Sequence, residues 1–406
     1  MTRDTGKENG GNDPLQAFME LSETEKKERG LVHTPREIFQ QPQTWAETYL
    51  RCREAQVEWS PFLKKSGVGV KKSEATVVLV GAGTSDFVGR SLAPLLRSRW
   101  GCEAWAVPST DLLTNIDNYQ TAQRPHLWIS FSRSGDSSEG VAVLRRAISQ
   151  YPAIRHFVVT CNQAGAMAEL CRQNPERALA LVLDEAVNDR GLAMTSSFSN
   201  MVVAGQCLAH LDDLDAYGKI VRYLVDSGSK VLFTAAKQAS VLTQLNFSKA
   251  CFVGSGALAA VAKESALKVL ELTAGKIYTM SESALGLRHG PMSAIDGETV
   301  FTLFLSDETL RRRYEVDLLR EIRHKKLGKA VVAVVPRGCA DVQSLADHVI
   351  SLELPQGFGD EYRPPLDVVF GQLLGLFSSI HAGLEPDHPS PGGVITRVVS
   401  HVNIYS

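Results

Sequence analysis

The chemically most suggestive stretch of the sequence is LWISFSRSGDSSEG, residues 127 to 140. It begins as an apolar strand and then presents hydroxyl groups, an arginine and two glycines. One interpretation is a polar turn leading into a helix N-cap, where serine, aspartate and glycine are common. The other is an anion site, in which hydroxyls and the free N–H groups of a helix N-terminus surround a phosphate. The stretch alone is compatible with both.

A second turn, GAGTSD at residues 81 to 86, follows the apolar run ATVVLV. A strand, a glycine turn and a helix are also the ingredients of a dinucleotide site, so NAD(P) is an alternative. The G-x-G-x-x-G pattern requires a third glycine at the position of Asp86, whose carboxylate would face the pyrophosphate. Gly89 is too far along to complete the pattern, so the turn argues against a dinucleotide cofactor.

Composition and charge exclude several classes of protein. The chain has 406 residues, 44% of them hydrophobic, and a formal net charge of -2. This length favours two globular domains, and the balanced charge gives no reason to expect nucleic acid as a partner. No run reaches the roughly 20 apolar residues of a membrane span, and the polar N-terminus lacks the apolar region of a signal peptide. We therefore expect a cytoplasmic protein without a membrane partner.

Cysteine and histidine usage agrees with that expectation. The seven cysteines are scattered, odd in number and never spaced C-x-x-C. This pattern favours reduced thiols over a disulfide framework or a zinc site. The ten histidines form no H-x-x-x-H or H-E-x-x-H pair, so we predict neither a metal nor a cofactor.

Short runs rich in valine, isoleucine and leucine alternate with helical segments. The predicted strands of the first half are ATVVLVG, CEAWAV, HLWISFS, HFVVTCN and LALVLDE. Runs of this kind indicate parallel strands covered by helices on both faces.

The second half repeats the order of the first. Three landmarks keep nearly one offset: Gly81 and Gly254 lie 173 residues apart, Ser132 and Ser306 lie 174 apart, and Phe157 and Val331 lie 174 apart. We infer two copies of one α/β unit. The predicted organisation is a disordered tail over 1–20, a helical lead-in over 21–70, a first domain over 71–220 and a second over 221–406.

The two copies differ where a ligand would bind. Ligands of open α/β sheets lie beyond the carboxyl ends of the strands. The first copy has GAGTSD and SFSRSGDSS there, whereas the second has GSGALA and FLSDETL, in which Asp307 and Glu308 would repel a phosphate. We therefore expect one composite site, with the phosphate held by the first copy and the chemistry supplied by the second.

Three separated stretches together resemble the sugar isomerase (SIS) family: GAGTS, SRSGDSSE and ALKVLELTAGKIYTMSESALGLRHGPMSAID. The similar members are the isomerase half of glucosamine-6-phosphate synthase and a shorter branch. That branch contains galactosamine-6-phosphate deaminase/isomerases and tagatose-6-phosphate ketose/aldose isomerases. Arg133 and the lead-in HTPREIFQQPQTW fit the shorter branch, since the synthase has glutamine at the arginine position. The resemblance implies two tandem SIS-type α/β/α sandwich domains with flavodoxin-like parallel sheets, preceded by an N-terminal helical segment.

The resemblance also implies roles for individual residues. The positions that match substrate contacts and phosphate-binding hydroxyls of the family are Thr84, Ser85, Ser132, Arg133, Ser134 and Ser137. Glu271 matches the carboxylate that moves a proton between C1 and C2, and His289 matches the histidine that opens the sugar ring. In the synthase this histidine reaches the site from a neighbouring subunit, so a homodimer or homotetramer with sites near the interface is implied.

Each of these assignments has a simpler alternative. Glu271 could lie on the solvent face of its helix, and His289 could cap a turn. Glu282 could orient the site or cap a helix. Lys268 lies three residues before Glu271 on the same helical side, where it could tune the pKa of that carboxylate or form a surface ion pair; the ion pair is the favoured interpretation. Thr195 and Ser196 match a loop beside the substrate, but an N-cap explains them equally well.

The sequence departs from the synthase in two ways. The synthase carries a lysine in its C-terminal tail that can form an imine with an open-chain ketose. The tail EPDHPSPGGVITRVVSHVNIYS contains none, and Arg397, a further candidate for substrate contact, has too high a pKa for that chemistry. We also expect neither a glutaminase domain nor an N-terminal cysteine nucleophile.

These departures favour breakdown of an amino sugar over its synthesis. The expected function is an aldose–ketose isomerase that removes ammonia from galactosamine 6-phosphate and yields tagatose 6-phosphate. Such an enzyme is a hydrolase of C–N bonds or an intramolecular oxidoreductase. The alternatives are an isomerase of ketose and aldose phosphates without deamination and a sugar-phosphate sensor without catalysis.

Overall fold

The computed structural model describes residues 13–69, 75–119, 124–338, 340–390, 392–399 and 402–405. Residues 1–12 of the predicted tail lie outside this part of the chain. Residues 13–20, which the sequence assigns to the same tail, are instead folded. They include helix α1 (Gln16–Met19), and Leu15 is fully buried because it packs into the main hydrophobic core.

The segment that precedes the first sheet is helical. Its described part contains α2 (Glu23–Glu28), α3 (Thr34–Phe39), α4 (Gln41–Glu54) and α5 (Gln56–Lys65). Trp45 and Trp59, in the two longer helices, are buried in the same core as the first sheet. The lead-in therefore packs against the body of the protein through large apolar side chains.

Five parallel strands form the first sheet, in the order β2–β1–β3–β4–β5. They are β1 (Thr76–Gly81), β2 (Glu103–Pro108), β3 (His126–Ser132), β4 (Ile154–Thr160) and β5 (Ala178–Val182). All seven residues of β3 are buried, as expected for a central strand with helices on both faces. The helices of this unit are α6 (Thr84–Trp100), α7 (Ser109–Asn115), α8 (Ser138–Gln150) and α9 (Ala166–Gln173).

Two long helices follow, α10 (Ser196–Ala209) and α11 (Leu214–Thr243). The predicted domain boundary at residue 220 falls inside α11, and this helix also packs against α4 of the lead-in segment. No break in the chain therefore marks the boundary, and the predicted boundaries stay predictions. Within the described residues, no helix combines the length and the apolar character that crossing a membrane requires.

The second sheet has the same topology as the first. Its five parallel strands have the order β7–β6–β8–β9–β10. They are β6 (Lys249–Val253), β7 (Tyr278–Glu282), β8 (Thr299–Phe304), β9 (Ala330–Val335) and β10 (His348–Ser351). The helices of this unit are α12 (Ala257–Leu272), α13 (Thr309–His324), α14 (Ala340–Gln343) and α15 (Pro364–His381). The predicted fold class, two tandem α/β units with parallel sheets, is confirmed.

Equivalent glycine turns place the first helix of each repeat. Gly83 precedes α6 with φ 54° and ψ -125°, and Gly256 precedes α12 with φ 60° and ψ -128°. Positive φ at these points favours glycine, because a Cβ would strain the turn. The helices α6 and α12 pack against each other, with Thr84 in the first turn of α6 beside the C-terminal half of α12. This contact joins the two repeats at the carboxyl end of the first sheet.

The corresponding loop of the second repeat is filled by the protein's own carboxylates. Asp360 accepts hydrogen bonds from the backbone N–H of Asp307 at 3.0 Å and from the hydroxyl of Ser306. The guanidinium of Arg311 lies 2.6 Å from the same carboxylate. Glu308 accepts the first free N–H groups of α13. Internal carboxylates thus occupy the donors of this repeat that could bind a phosphate, while phosphate binding by the first repeat stays a prediction.

Candidate active site

The serine-rich loop connects β3 to α8 at the carboxyl end of the first sheet. The hydroxyl oxygen of Ser132 accepts the backbone N–H of Gly135 at 3.0 Å, and that of Ser134 accepts the N–H of Asp136 at 3.2 Å. Because these oxygens accept, their O–H groups remain free to donate to an anion. Ser137 stands at the N-cap of α8, but its side chain does not cap the helix. The two sequence interpretations, a turn leading into a helix N-cap and an anion site, therefore describe the same turn, since the free N–H groups of a helix N-terminus can bind an anion.

A cavity of about 140 Å³ lies above this loop. Its lining contains the four residues of the serine loop that the sequence predicts to bind phosphate (Ser132, Arg133, Ser134 and Ser137). It also contains Ser85, from the first turn of α6. One water occupies about 30 Å³ in the liquid, so the space exceeds that of a single water molecule. We call this space the serine cavity.

Arg133 is buried in the wall of the serine cavity, with 4% of its surface exposed. Its guanidinium donates to the backbone carbonyls of Leu192 and Arg397. Its Nε has no partner among the described residues. Burial, followed by the nearby charge of Arg397, lowers the pKa of Arg133 below its ordinary value. A buried cation whose hydrogen bonds go to neutral carbonyls is stabilised when an anion binds beside it.

A second cavity, of about 460 Å³, adjoins the first. Its lining includes Thr84 from the first repeat and Lys268 and Glu271 from the second. Arg133 and Met194 line both cavities, so the two spaces share a wall. We call this space the carboxylate cavity. The structure therefore brings Glu271 next to the serine loop, as a composite site requires.

Lys268, in the wall of the carboxylate cavity, contacts polar groups of both repeats. It is fully buried, and its Nζ lies 2.6 Å from Glu271 Oε2, 3.3 Å from Glu264 Oε1 and 3.0 Å from the hydroxyl of Thr84. The favoured sequence interpretation of Lys268 as a surface ion pair is therefore wrong. The reason is that α6 covers this face of α12 and removes the lysine from solvent.

Charge sharing decides the protonation of this group. Burial raises the pKa of Glu264 to about 8, despite the attraction of Lys268. Burial alone would lower the pKa of Lys268, but the two carboxylates outweigh it and raise the pKa above its ordinary value. One buried ammonium can balance only one carboxylate. Near neutral pH we therefore assign a neutral Glu264 and a charged Lys268, whose ammonium lies against Glu271; the side chain of Glu271 is 23% exposed.

Sequence reasoning missed Glu264. The spacing E-x-x-x-K-x-x-E over residues 264 to 271 was the available signal, since it places three ionisable groups on one helix face. Helix periodicity shows that these groups are neighbours. It does not show which face of the helix is buried, because that depends on the packing of α6.

Thr195 and Ser196 are not brought to either cavity. Both are fully buried at the start of α10, where their backbone N–H groups donate to Asp189 at 2.8 and 3.0 Å. The hydroxyl of Ser196 donates to the backbone carbonyl of Glu37. The structure therefore places Thr195 at the N-cap position and Ser196 at the first residue of α10, but the carboxylate of Asp189, not the hydroxyl of Thr195, accepts the free N–H groups there. The neighbouring Met194 lines both cavities instead.

Arg397 reaches the site through its backbone. It belongs to residues 392–399, a segment that crosses both cavities and that we call the strap. Its guanidinium donates to the backbone carbonyl of Asp189 at 2.8 Å and to Asn188 Oδ1 at 2.9 Å. Loop residues 188–189 hold the guanidinium although Arg397 lines both cavities, and a substrate contact by this residue stays a prediction.

His289 and Glu282 lie apart from both cavities. His289 is exposed at the end of the turn Gly286–Arg288, which follows β7 at the edge of the second sheet. The carboxylate of Glu282 accepts the backbone N–H of Ser283 at 2.7 Å. Within one chain, the structure therefore does not bring His289 to Glu271.

The chain is similar to known proteins over most of its length, although no protein-family model matches it. It is 36% identical over 373 residues to D-galactosamine-6-phosphate deaminase AgaS of Escherichia coli, covering 92% of this chain and 95% of that protein. A solved structure of tagatose-6-phosphate ketose/aldose isomerase from Escherichia coli superposes with a TM-score of 0.81 at 34% identity, covering 89% of this chain and 95% of the other. The C-terminal domain of glucosamine-fructose-6-phosphate aminotransferase from Francisella tularensis shares the fold, with a TM-score of 0.70 at 16% identity and coverages of 86% and 95%.

Fold and site together define a tandem SIS-fold protein of the sugar-phosphate isomerase and deaminase class. The chain belongs to the D-galactosamine-6-phosphate deaminase AgaS family. The resemblance that the sequence motifs carry is thereby confirmed.

The charge assignment predicts a pH effect on stability. The pKa of Glu264 is about 8 in the folded protein, against an ordinary value of 4.5. Its contribution to the free energy of unfolding is therefore full below about pH 4.5 and is lost as the pH rises through 8. Glu264→Gln removes this dependence. Between pH 5 and 9 the wild type should lose on the order of a few kcal/mol of unfolding free energy relative to the variant, measured by urea denaturation.

Glu298→Gln is the matched control, because Glu298 forms an exposed ion pair with Lys329. It should follow the wild-type curve. A wild type that gains stability relative to Glu264→Gln as pH rises would contradict the assignment of a neutral Glu264.

Proposed function

We propose that the protein converts galactosamine 6-phosphate to tagatose 6-phosphate and ammonia. The observation that carries this proposal is the shared wall of the serine cavity and the carboxylate cavity, because one substrate can then bind its phosphate in the first and place C1 and C2 in the second. The relative named D-galactosamine-6-phosphate deaminase supports the choice of an amino sugar.

The phosphate end of the site brings several donors together, and Glu139 is the one carboxylate among the described residues that line it. The free hydroxyls of Ser132 and Ser134, the N-cap region at Ser137 and the guanidinium of Arg133 all face the same cavity. A phosphate dianion gains charge-assisted hydrogen bonds from such donors, together with the favourable end of the α8 dipole. The phosphate is thus held away from the reacting carbons and fixes the position of the sugar chain.

The chemical step assigns proton transfer to Glu271. In the open-chain amino sugar, the carboxylate removes the proton from C2, and the electron pair forms an enolamine between C1 and C2. Return of the proton at C1 leaves an imine at C2. Addition of water to that imine and loss of ammonia give the ketose. Lys268 holds the carboxylate at 2.6 Å and fixes its orientation during both transfers.

A cytoplasmic location is part of the proposal. The described cysteines, Cys339 lying outside that part of the chain, are all free thiols (Cys52, Cys102, Cys161, Cys171, Cys207 and Cys251). Five of the six are buried and serve as small apolar side chains, which suits a reducing compartment.

A second candidate is isomerisation without deamination, which the name of the Escherichia coli structure favours. Incubation with galactosamine 6-phosphate and with tagatose 6-phosphate separates the two. We expect ammonia and ketose in equal amounts from the amino sugar. Interconversion of tagatose 6-phosphate with an aldose phosphate, without any ammonia from the amino sugar, would establish the second candidate instead.

Replacement of Glu271 tests the assigned base. Glu271→Gln keeps the shape of the side chain but removes the base, so kcat should fall by roughly 10²- to 10⁴-fold. Binding of inorganic phosphate, measured by calorimetry, should change less than about twofold, since the serine cavity is separate. The control Glu169→Gln alters an exposed ion pair with Arg172 and should keep full activity. Retention of most of the rate by Glu271→Gln would disprove the assignment.

His289 enters the proposal through a second subunit. Because it is exposed and far from the cavities of its own chain, we assign it to the site of a neighbouring subunit in a homodimer or homotetramer. There it would donate to the ring oxygen and open the sugar ring.

Complementation between two inactive variants tests this arrangement. Glu271→Gln and His289→Ala chains, carrying different tags, are co-expressed, and the mixed dimer is purified on both tags. One of its two sites then has both residues intact, so about half of the wild-type rate should return. A mixed dimer no more active than either parent would place His289 in the site of its own chain or outside catalysis.

A further inference from the structure

The strap contacts the same groups that would bind the phosphate. The backbone N–H of Ser138, the first residue of α8, donates to the carbonyl of Val399 at 3.3 Å. The guanidinium of Arg133 donates to the carbonyl of Arg397. Two peptide carbonyls of the strap therefore occupy a helix N-terminal donor and the buried cation of the serine cavity. A carbonyl oxygen bears only a partial negative charge, so it is a weak substitute for an anion at both places.

Little apolar burial holds the strap in place. Val394 is 89% exposed and Val399 is 51% exposed. The firm anchor is the side chain of Arg397, which donates to Asp189 and Asn188 of the neighbouring loop. The strap is thus held mainly by hydrogen bonds, and two of these use donors of the phosphate site.

The strap also covers the second half of the site. Residues 394–397 and Val399 line the carboxylate cavity, opposite Lys268 and Glu271. Any movement of the strap therefore changes access to the reacting groups as well as to the phosphate donors.

We propose that the strap is an autoinhibitory segment that the substrate's phosphate displaces, with Arg133 and the Ser138 N–H exchanging strap carbonyls for phosphate oxygens. This inference rests on the proposed function, since it concerns regulation of the same site. The phosphate dianion displaces the strap carbonyls because its hydrogen bonds to the guanidinium and to the helix N-terminus are charge-assisted and therefore stronger. It also provides a partner for Arg133 Nε, which lacks one among the described residues.

The exchange links phosphate binding to opening of the carboxylate cavity. Once the carbonyls of Arg397 and Val399 are released, the hydrogen bonds of the Arg397 side chain to loop residues 188–189 remain, within the described part of the chain, as the anchor of the strap. The sugar then enters beside Glu271, and departure of the phosphorylated product allows the strap to return. A sugar without a phosphate would meet the covered site, so the strap selects for phosphorylated substrates.

Limited proteolysis of the full-length protein tests the displacement. Efficient cleavage by trypsin after Arg397 requires the strap to open far enough to release the Arg397 side chain as well, and loss of the two carbonyl hydrogen bonds makes that opening more frequent. Saturating inorganic phosphate, compared with sodium chloride at equal ionic strength, should raise this cleavage on the order of tenfold, the change expected from loss of two hydrogen bonds. Cleavage at other sites serves as the internal control, and calorimetry on the same sample measures phosphate binding.

The variant Asn188→Ala provides a second measurement. It removes one anchor of the Arg397 side chain, weakens the competing strap and should tighten phosphate binding about threefold. Asn118→Ala, an exposed asparagine on the first domain away from the strap, should leave the affinity unchanged.

The outcomes separate this inference from the proposed function. Phosphate that binds without increasing cleavage, or that protects the strap, would overturn the inference and leave the phosphate site intact. An unchanged affinity in Asn188→Ala would do the same. Absence of phosphate binding in the wild type would overturn the serine cavity itself as the phosphate site.

Discussion

The site depends on one buried ammonium group. Lys268 joins the two repeats, because its Nζ contacts Thr84 of the first repeat and both Glu264 and Glu271 of the second. A lysine can be buried only where carboxylates balance it, and two carboxylates around one lysine leave one of them neutral. Packing of α6 on α12 therefore fixes the position of Glu271, the carboxylate to which we assign the proton transfer.

Duplication of the fold produced one site because the repeats fill equivalent loops differently. In the second repeat the carboxylate of Asp360 takes the donors of Ser306, Asp307 and Arg311. In the first repeat the corresponding donors face a cavity, where backbone carbonyls of Leu192 and of the strap accept from them. An internal carboxylate serves the stability of the second repeat, whereas donors bonded to neutral carbonyls in the first can still exchange these for a ligand.

The sequence predicts the fold and the serine loop well, since strand runs, glycine turns and hydroxyls are local signals that the structure keeps. The tandem order was visible in the offset between Gly81 and Gly254. Other features depend on long-range packing. The burial of Lys268 follows from α6, which lies far away in sequence, and the retention of the Arg397 side chain by loop residues 188–189 has no local pattern. In sequence, Thr195 at a helix start looks the same as a substrate contact, and the structure gives the free N–H groups there to the carboxylate of Asp189 instead.

The most direct test of the central claim is a crystal structure with galactitol 6-phosphate, an acyclic analogue that cannot react. The account predicts its phosphate against Ser132, Ser134 and Arg133, with the carbinol end beside Glu271. A phosphate bound elsewhere, such as at the arginine-rich start of α13, or a carbon chain directed away from Glu271, would contradict it.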